Sequence, residues 1–401
     1  MSRFEKKVLD YVHSNIDKIY LIIVVLISLV IRFDVRADNS NYDINTFLIN
    51  WYDELKARGG LKGLGTPIPN CNYNFLYMTI IALMTYLPWG AMTSYKLLSM
   101  IFDYLLGIVV ARFVYELTDH NKKVNAYLAF TIVIMSPLVI SNSAVWGQCD
   151  SIYVFFVIIS LLCLYKSRFI LSFVLLGLAF SFKLQAVFIL PFYLFYYFYK
   201  QRYSIFHFLI IPLIMEISAI PSILAGRDIL DTFRVYIGQT GNWPVTASNY
   251  PTFWYIFFRD EKYSSYETMN SLMVLTTVFV ILMYIYLWVH KKIEIDAHKF
   301  IMIAYLLSFT CVMFLPSMHD RYAYMVEMLG IILVFMDYKM FPVIVILNCI
   351  TMATYGNFLF YSTANIRDLS WLNFGVYLIG AVYINLMLSK EDLRRGYEKR
   401  I

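Results

Sequence analysis

Long apolar runs, separated by short polar gaps, extend from one end of the chain to the other. A transmembrane helix needs about 20 mostly apolar residues, whereas a barrel strand needs about 10 of alternating polarity. The runs are too long and too uniform for barrel strands, so they predict membrane-spanning helices. About twelve spans fit the pattern: 19–33, 94–117, 124–140, 151–165, 169–182, 185–199, 205–225, 269–289, 299–316, 322–336, 340–361 and 369–388.

The composition excludes a soluble protein and indicates one membrane domain. Of the 401 residues, 60% are hydrophobic and 15% are charged. We therefore predict a single all-α polytopic domain over 1–401, with a first outer loop at 34–93 and a second, lid-like outer loop at 226–268. The formal net charge of +6 comes from scattered lysines and arginines without a basic stripe, which argues against nucleic-acid binding.

The N-terminal run and the cysteines add two further expectations. The first run is followed by Arg32, Asp34 and Arg36 without a cleavage signature, so we expect a retained helix and not a signal peptide. The five cysteines show neither a disulfide framework nor zinc-ligand spacing. Cys71 and Cys149 could meet outside the membrane, but free thiols are the preferred interpretation.

Pairs of lysine and arginine mark the helix ends expected on the cytoplasmic side of the plasma membrane, and they place both termini there. The segment Tyr73–Trp89 complicates this topology because it is apolar enough to span. If it crossed, Lys122–Lys123 and the later basic pairs would move outside, against the positive-inside bias. We therefore predict a re-entrant or interfacial helix at Tyr73–Trp89. An ordinary span, compensated by a later irregularity, is the alternative.

With this topology, every polar cluster falls on the extracytoplasmic side, where we expect the active site. Polar groups near hydrocarbon cost several kcal/mol unless they are satisfied, so such clusters indicate function. The outer face receives 34–93, 141–150, 183–184, 226–268, 317–321 and 362–368.

An amphipathic helix is predicted to begin at Asp43 in the first outer loop. Apolar residues recur at helical spacing from Ile44 to Leu55, and Gly59-Gly60 ends the pattern. Trp51 within it suits a helix lying in the membrane interface. Asp43 is either an N-cap that accepts the first backbone N–H groups or a general base at the membrane rim.

A second cluster, Trp146-Gly-Gln-Cys-Asp150, joins two predicted spans. Asp150 and Ser151 could simply cap the helix that follows. In the functional interpretation, Gln148 and Asp150 hold sugar hydroxyls at a glycine turn, and Trp146 offers a face on which a pyranose ring stacks.

Two further clusters supply cations for an anionic substrate. Lys183 stands beside Gln185 between two long apolar runs and is predicted to bind an anion, with a snorkelling lysine as the alternative. In His319-Asp-Arg-Tyr322, Arg321 could clamp a phosphate bidentately and His319 could donate to it. An ordinary ion pair between Asp320 and Arg321 is the competing interpretation.

The lid-like outer loop combines a helical and an aromatic part. Gly226–Gly238 reads as another amphipathic helix, and 243–254 is rich in aromatic residues and broken by prolines. This composition is typical of a lid over a lipid or a carbohydrate. Phosphate-loop, zinc-protease and serine-elbow motifs do not occur in the sequence.

Together these residues resemble bacterial GT-C glycosyltransferases, in particular the mannosyltransferases related to the GPI-anchor and dolichyl-phosphate-mannose enzymes. The resemblance covers nearly the whole chain in order. It is carried by the stretch from Tyr42 to Leu55 with Gly59-Gly60, by Trp146-Gly-Gln-Cys-Asp-Ser151, by Phe182-Lys-Leu-Gln-Ala-Val-Phe-Ile-Leu-Pro191, by Asn249-Tyr-Pro251 with Trp254, and by Met318-His-Asp-Arg-Tyr322.

The resemblance implies an inverting enzyme that takes a hexose, such as mannose or glucose, from a polyprenyl-phosphate carrier on the outer leaflet. The acceptor would be a glycan or a lipid-linked acceptor of the cell envelope. Spacing alone leaves Asp34, Asp38 and Asp53 as rivals for the role of base. The resemblance implies Asp43, because the group carries an acidic residue four positions before the phenylalanine that is Phe47 here.

The same resemblance assigns the remaining site residues and the cofactor expectation. Lys183, Arg321 and His319 would bind the donor phosphate, and Trp146, Gln148, Asp150, Gln185 and Tyr322 would contact substrate. Related oligosaccharyltransferases hold a divalent metal between first-loop and second-loop carboxylates. Asp43 and Asp150 could imitate that pair, but the second loop lacks further acidic residues, so we expect no cofactor.

Two other functions use the same compartment and carriers. A transporter or flippase of lipid-linked sugars would show inverted repeats and midplane ionisable groups, and the sequence shows no convincing repeat. A polymerase of lipid-linked repeat units is harder to separate from the sequence.

Overall fold

The computed structural model describes residues 1–36, 41–242, 245, 247–258 and 266–398. Within these ranges the regular structure is entirely helical, as the apolar runs predict. The α-helices are α1 Arg3–Ser14, α2 Ile16–Arg36, α3 Ile49–Ala57, α4 Phe75–Met84, α5 Ala91–Leu117, α6 Lys122–Met135, α7 Pro137–Ile140, α8 Asp150–Tyr165, α9 Phe169–Phe182, α10 Leu190–Lys200, α11 Ile210–Leu224, α12 Asp231–Asn242, α13 Tyr266–His290, α14 Ala297–Phe314, α15 Tyr324–Met336, α16 Phe341–Leu359 and α17 Ile366–Glu398.

Short helices of other types connect or extend these elements. Among the described residues, two segments are π-helical, Ile44–Leu48 and Ser141–Val145. The 3₁₀ segments are Gly60–Gly65, Leu184–Ile189, Ile205–Leu209, Trp254–Ile256 and Tyr338–Met340.

The chain is a multi-pass membrane protein, but the count of twelve spans is not confirmed. In the described ranges, six helices are long and apolar enough to cross a membrane, or seven if the bent pair Lys122–Met135 and Pro137–Val145 forms one span. Several predicted spans do form helices, yet α8, α9 and α15 are shorter than a full span. The polar residues that carry the candidate chemistry interrupt the apolar runs and shorten these helices.

Helix α4 covers only the middle of the ambiguous segment Tyr73–Trp89. It has ten residues, from Phe75 to Met84, and so is about 15 Å long at the α-helical rise of 1.5 Å per residue. That is roughly half of the hydrocarbon thickness. A helix of this length does not cross a bilayer unaided, which favours the re-entrant interpretation over an ordinary span.

The hairpin of α14 and α15 occupies the centre of the bundle. Every residue from Lys299 to Phe314 of α14 is buried, as is the stretch from Tyr324 to Leu333 of α15. Helix α14 packs against α15, α13, α17 and α10, while α15 also packs against α5, α6 and α8. The loop between the two helices, 315–323, therefore emerges from the middle of the bundle and carries Arg321.

The first outer loop forms the predicted amphipathic helix. Its buried face contains Leu48, Trp51 and Leu55, and Asn50 and Asp53 are exposed. Gly59 and Gly60 have φ angles of 83° and 66°, a left-handed conformation that favours glycine and ends the helix. The orientation of this helix against the bilayer stays a prediction.

A buried ion pair connects α2 to α5. Arg32 Nε and Nη2 donate to Asp103 Oδ2 at 3.1 and 3.0 Å, and both side chains are fully buried. Ser143 of the π-helical segment Ser141–Val145 also donates to Asp103. The pair therefore ties two helices to the segment that leads into Trp146.

The lid-like region differs in part from its prediction. The expected helix at Gly226–Gly238 begins only at Asp231 and continues to Asn242. The chain turns at Gly226, whose φ is 116°, and again at 229–230 before the helix starts. Residues 248–250 pack on the loop between α14 and α15, with Ser248 N and Tyr250 N donating to Met318 O at 3.1 and 3.2 Å. Trp243, Pro244 and Thr246 of the predicted aromatic loop lie outside the described residues.

Candidate active site

A cavity of about 880 Å³ lies where the loops of the bundle converge. It is lined by the first outer loop, the loops that precede α8 and α15, the 3₁₀ segment after α9, residues 248–249, and α13. All predicted site residues except Lys183 and Asp150 belong to the lining. These are Asp43, Trp146, Gln148, Gln185, His319, Arg321 and Tyr322.

Asp43 does not cap its helix. Its backbone is already helical, with φ −65° and ψ −41°, and its side chain makes no capping hydrogen bond. Asn41 takes that role, because its Oδ1 accepts from Ile44 N at 3.1 Å. The N-cap interpretation of Asp43 is therefore wrong, and its carboxylate points to other partners.

Two side chains of the second cluster hold the Asp43 carboxylate. Trp146 Nε1 and Gln148 Nε2 each donate to Asp43 Oδ2 at 2.9 Å. Tyr73 OH in turn donates to Gln148 Oε1 at 3.2 Å, which fixes the orientation of the amide. Among the described residues, the hydrogen bonds to Asp43 end on Oδ2, so Oδ1 is the oxygen left for a substrate.

A π-helical segment adjoins each side of this contact. Ile44–Leu48 follows Asp43, and Ser141–Val145 precedes Trp146. Such π-helical turns occur frequently at functional sites, since they rotate the side chains that follow or precede them. Gly147, with a φ of 73°, then turns the chain between Trp146 and Gln148.

Trp146 does not present a free face for a sugar. Its ring stacks on Phe358 with centroids 4.5 Å apart, and the Arg321 guanidinium lies 5.3 Å over the same ring. These two groups cannot share one face, and Trp146 is only 1% exposed. The stacking role predicted for Trp146 does not fit this geometry, and its indole N–H instead positions Asp43.

Arg321 stands between the two carboxylates of the predicted site. Its Nη1 is 3.8 Å from Asp43 Oδ2, and its Nε is 3.6 Å from Asp150 Oδ2. Both distances exceed a normal hydrogen bond, and the buried Nε has no hydrogen-bond partner among the described residues. The guanidinium thus lies between the carboxylates of Asp43 and Asp150.

Lys183 and Asp150 form a buried ion pair behind the cavity wall. Lys183 Nζ lies 2.5 Å from Asp150 Oδ1, and their side chains are 6% and 1% exposed. Asn142 Nδ2 donates to Asp150 Oδ2 at 3.0 Å and also contacts Tyr355 OH at 3.1 Å. The N-cap residue of α8 is Cys149, and the carboxylate of Asp150 bonds to Lys183 and Asn142 instead of capping the helix. Neither Lys183 nor Asp150 belongs to the cavity lining.

His319, Tyr322 and Gln185 form a further wall of the cavity. His319 Nδ1 lies 3.3 Å from Ser248 Oγ, which connects this wall to the lid-like loop. Burial, together with the nearby charges of Arg321 and Lys183, lowers the pKa of His319 to about 3. The imidazole is therefore neutral at physiological pH and can donate from only one ring nitrogen. Gln185 is buried in the lining, and its Oε1 has no hydrogen-bond partner in the described part of the chain.

A comparison with protein families identifies what this architecture is. The model of glycosyltransferase family 87, a GT-C type family of membrane glycosyltransferases, matches residues 73–317. The chain belongs to glycosyltransferase family 87. No curated protein matches the chain. The all-helical membrane fold and the predicted GT-C resemblance agree with this family.

The family 87 match covers only part of the candidate site. Trp146, Gln148 and Gln185 fall inside residues 73–317, whereas Asp43 and Arg321 lie outside them. The rival carboxylates are placed differently from Asp43. Asp34 and Asp53 are exposed and do not line the cavity. Asp38 lies outside the described residues.

The sequence analysis missed several residues of the candidate site. Asn142 contacts Asp150, and the polar triplet Ser141-Asn-Ser143 at the end of an apolar run was a signal for it. Nothing in the sequence indicates Tyr73, because it begins the apolar segment Tyr73–Trp89. Phe358 had none either, because α16 places it on Trp146 across more than two hundred residues of sequence.

Proposed function

We propose that this family 87 protein is an inverting glycosyltransferase that uses a polyprenyl-phosphate-linked hexose on the extracytoplasmic face. The observation that carries the proposal is the placement of Asp43. A carboxylate held by two hydrogen-bond donors stands at the wall of a cavity next to a guanidinium. A base and a phosphate-binding cation are the two groups that this transfer requires.

Asp43 is the proposed general base. As the new glycosidic bond forms, the acceptor hydroxyl must lose its proton to a positioned group. The donors to Oδ2 orient the carboxylate and direct Oδ1 toward the substrate. Two other carboxyl groups near Asp43 could serve as a nucleophile. Asp150 is buried and paired with Lys183, and Asp320 is buried in the cavity lining, where burial raises its pKa to about 7 and disfavours the carboxylate. A single displacement with inversion therefore fits the site better than a double displacement.

Arg321 is the proposed contact for the donor phosphate. Negative charge grows on the leaving phosphate in the transition state, and fixed cations stabilise it. The planar guanidinium suits two phosphate oxygens at once. Lys183 would act indirectly, because it neutralises Asp150 behind the wall.

The carrier lipid would leave the cavity along its apolar side. Leu184, Val187 and Phe188 line the cavity together with Val274 of α13. Next to Val274, Leu275 is 66% exposed on a helix that is long and apolar enough to span the membrane. A prenyl chain that leaves the cavity here would enter lipid directly. The basic loops on the opposite side support an extracytoplasmic site.

The site is proposed to work without a metal ion, since Arg321 takes the position between the two carboxylates. Treatment with EDTA should therefore leave the transfer rate unchanged. Restoration of a lost rate by Mg²⁺ or Mn²⁺ would contradict this point.

The test uses the full chain in membrane vesicles that contain its native acceptors. Release of polyprenyl phosphate is followed with short-chain polyprenyl-phosphate mannose or glucose, and with GDP-mannose and UDP-glucose as rival donors. Asp43→Asn should bind donor normally and lose roughly 10²–10⁴ in rate. Asp53→Asn, on the same helix but exposed, is the control and should stay active. Transfer from nucleotide sugars, or a fully active Asp43→Asn protein, would overturn the proposal.

A further inference from the structure

The wall of the cavity formed by the first outer loop is aromatic. We call Tyr42, Phe47, Trp51 and Tyr73 the aromatic wall, and all four line the cavity. Their ring centroids follow one another at 6.1, 5.8 and 5.5 Å. The series begins at Tyr42, directly beside Asp43.

Tyr42 and Phe47 of the aromatic wall are more accessible than Trp146. Tyr42 is 64% exposed and Phe47 is partly exposed, whereas Trp51, like Trp146, is buried. Asn70 also lines the cavity with an exposed amide. Accessible aromatic rings beside amide groups can hold the apolar face of a sugar and its hydroxyl groups at the same time.

The charges of the lining limit the chemistry of this ligand. Within the described lining, Arg321 is the single lysine or arginine. It already stands beside Asp43 and over Trp146, at the proposed donor phosphate. Lys183 Nζ lies 5.7 Å from the centroid of the Tyr73 ring, but its side chain is only 6% exposed and is paired with Asp150. The aromatic wall therefore offers no unpaired second cation to a ligand that carries its own phosphate or carboxylate groups, and burying such charges without a partner is costly.

We infer that the aromatic wall is the acceptor subsite and that the acceptor is an uncharged glycan whose terminal sugar stacks on Tyr42 and Phe47. This inference rests on the proposed function, because it assigns the second substrate of the same reaction. The position of Tyr42 next to Asp43 places a stacked sugar beside the base that takes its proton. A polyol-phosphate acceptor does not fit a wall without an unpaired cation of its own, and a serine-rich peptide lacks the pyranose face that would stack on Tyr42 and Phe47.

The experiment compares acceptors of different charge with one donor. The purified full chain in nanodiscs receives short-chain polyprenyl-phosphate mannose or glucose and, in turn, mannotriose, maltotriose, cellotriose, tri(glycerol phosphate) or a serine-rich peptide. At least one neutral trisaccharide should be extended, and the phosphate oligomer and the peptide should not. Transfer confined to the anionic oligomer or to the peptide would overturn the inference while leaving the proposed function intact.

Variants of the aromatic wall then locate the subsite. Tyr42→Ala should raise the KM for the neutral acceptor about tenfold, with the KM for the donor changed less than twofold, and Tyr42→Phe should restore the acceptor KM. Tyr11→Ala is the matched control, since Tyr11 is 67% exposed on α1 and does not line the cavity. An unchanged acceptor KM in Tyr42→Ala would overturn the inference. If no acceptor is extended and no polyprenyl phosphate is released, the proposed function itself fails.

Discussion

The indole nitrogen of Trp146 donates a 2.9 Å hydrogen bond to Oδ2 of Asp43 across 103 residues of sequence. This bond joins the first outer loop to the loop before α8 and gives the proposed base its orientation. Because Phe358 and Arg321 cover the two faces of the indole, the ring can move little. The candidate base is thus held by a rigid element of the bundle and not by its own loop.

Replacement of Trp146 by phenylalanine tests this relationship. Trp146→Phe keeps an aromatic ring against Phe358 but removes the N–H that Asp43 accepts. A hydrogen bond to a charged group contributes about 1.5–3 kcal/mol, so the transfer rate should fall by roughly 10–100-fold, with donor binding retained. Trp371→Phe, at a position 55% exposed on α17, should have no effect. An undiminished rate in Trp146→Phe would show that this bond does not orient the base.

Arg321 should bind the donor phosphate through two N–H groups of its planar guanidinium, so a single positive charge should not replace it. Arg321→Ala should lower the rate by roughly 10²–10³, the usual loss for one preorganised electrostatic group. Arg321→Lys should recover little of it, because a lysine cannot bind two oxygens in one plane. Steady-state kinetics with varied donor concentration measure both variants. Arg234→Ala is the control, since its ion pairs are largely exposed. Full activity in Arg321→Lys would indicate a simple charge effect.

The Lys183–Asp150 ion pair should contribute to stability and not to donor binding, which the removal of one or both charges tests. Lys183→Met leaves the buried Asp150 carboxylate without its cation, and breaking a buried pair costs about 3–5 kcal/mol. The double variant Lys183→Met with Asp150→Asn removes both charges and should regain most of the lost thermal stability. Thermal unfolding of the purified protein in detergent provides the measurement. A stable double variant with a strongly raised donor KM would instead place Lys183 on the donor phosphate.

Asp320 should make stability depend on pH. Burial raises the pKa of its carboxyl to about 7. The positive charge of Arg321 lowers this pKa, and the negative charge of Asp43 raises it. An unfolded aspartate has a pKa of about 3.9, so between about pH 4 and 7 the folded protein keeps a proton that the unfolded chain has lost. The free energy of unfolding should therefore decrease as the pH rises through this window and level off above it.

Asp320→Asn should flatten that dependence, because an amide does not titrate. Unfolding temperatures of both proteins, taken at intervals from about pH 4.5 to 8, give the comparison. Asp53→Asn, at an exposed position outside the cavity lining, should leave the wild-type slope in place. The same slope in wild type and Asp320→Asn would assign it to another group.

The short helix α4 makes a topological prediction. Pro69 and Gly90 flank it, both are exposed, and a Cβ at Gly90 meets no atom within 4 Å. In a background with the native cysteines replaced by serine, Pro69→Cys and Gly90→Cys should both react with a membrane-impermeant thiol reagent applied to intact cells. Labelling of Pro69→Cys alone would mean that the segment crosses the membrane.

Local chemistry sufficed to predict the class of fold and most members of the candidate site. Apolar runs of membrane length require helices, because a backbone in lipid must satisfy its own hydrogen bonds. Polar residues at the ends of those runs, such as Gln148 and Arg321, mark the places where loops can meet. Gly59 and Gly60 likewise end the first-loop helix through their own backbone freedom.

Tertiary structure decided what each of those residues contacts. Asp43 is released from capping because Asn41, two positions earlier, accepts the bond from Ile44 N. Trp146 loses its free faces to Phe358 and Arg321, which long-range packing brings to it. Spacing along the chain cannot predict such contacts, since they depend on how distant helices are packed. The number of spans likewise depends on where the helices bend and end, and those positions cannot be predicted from hydropathy.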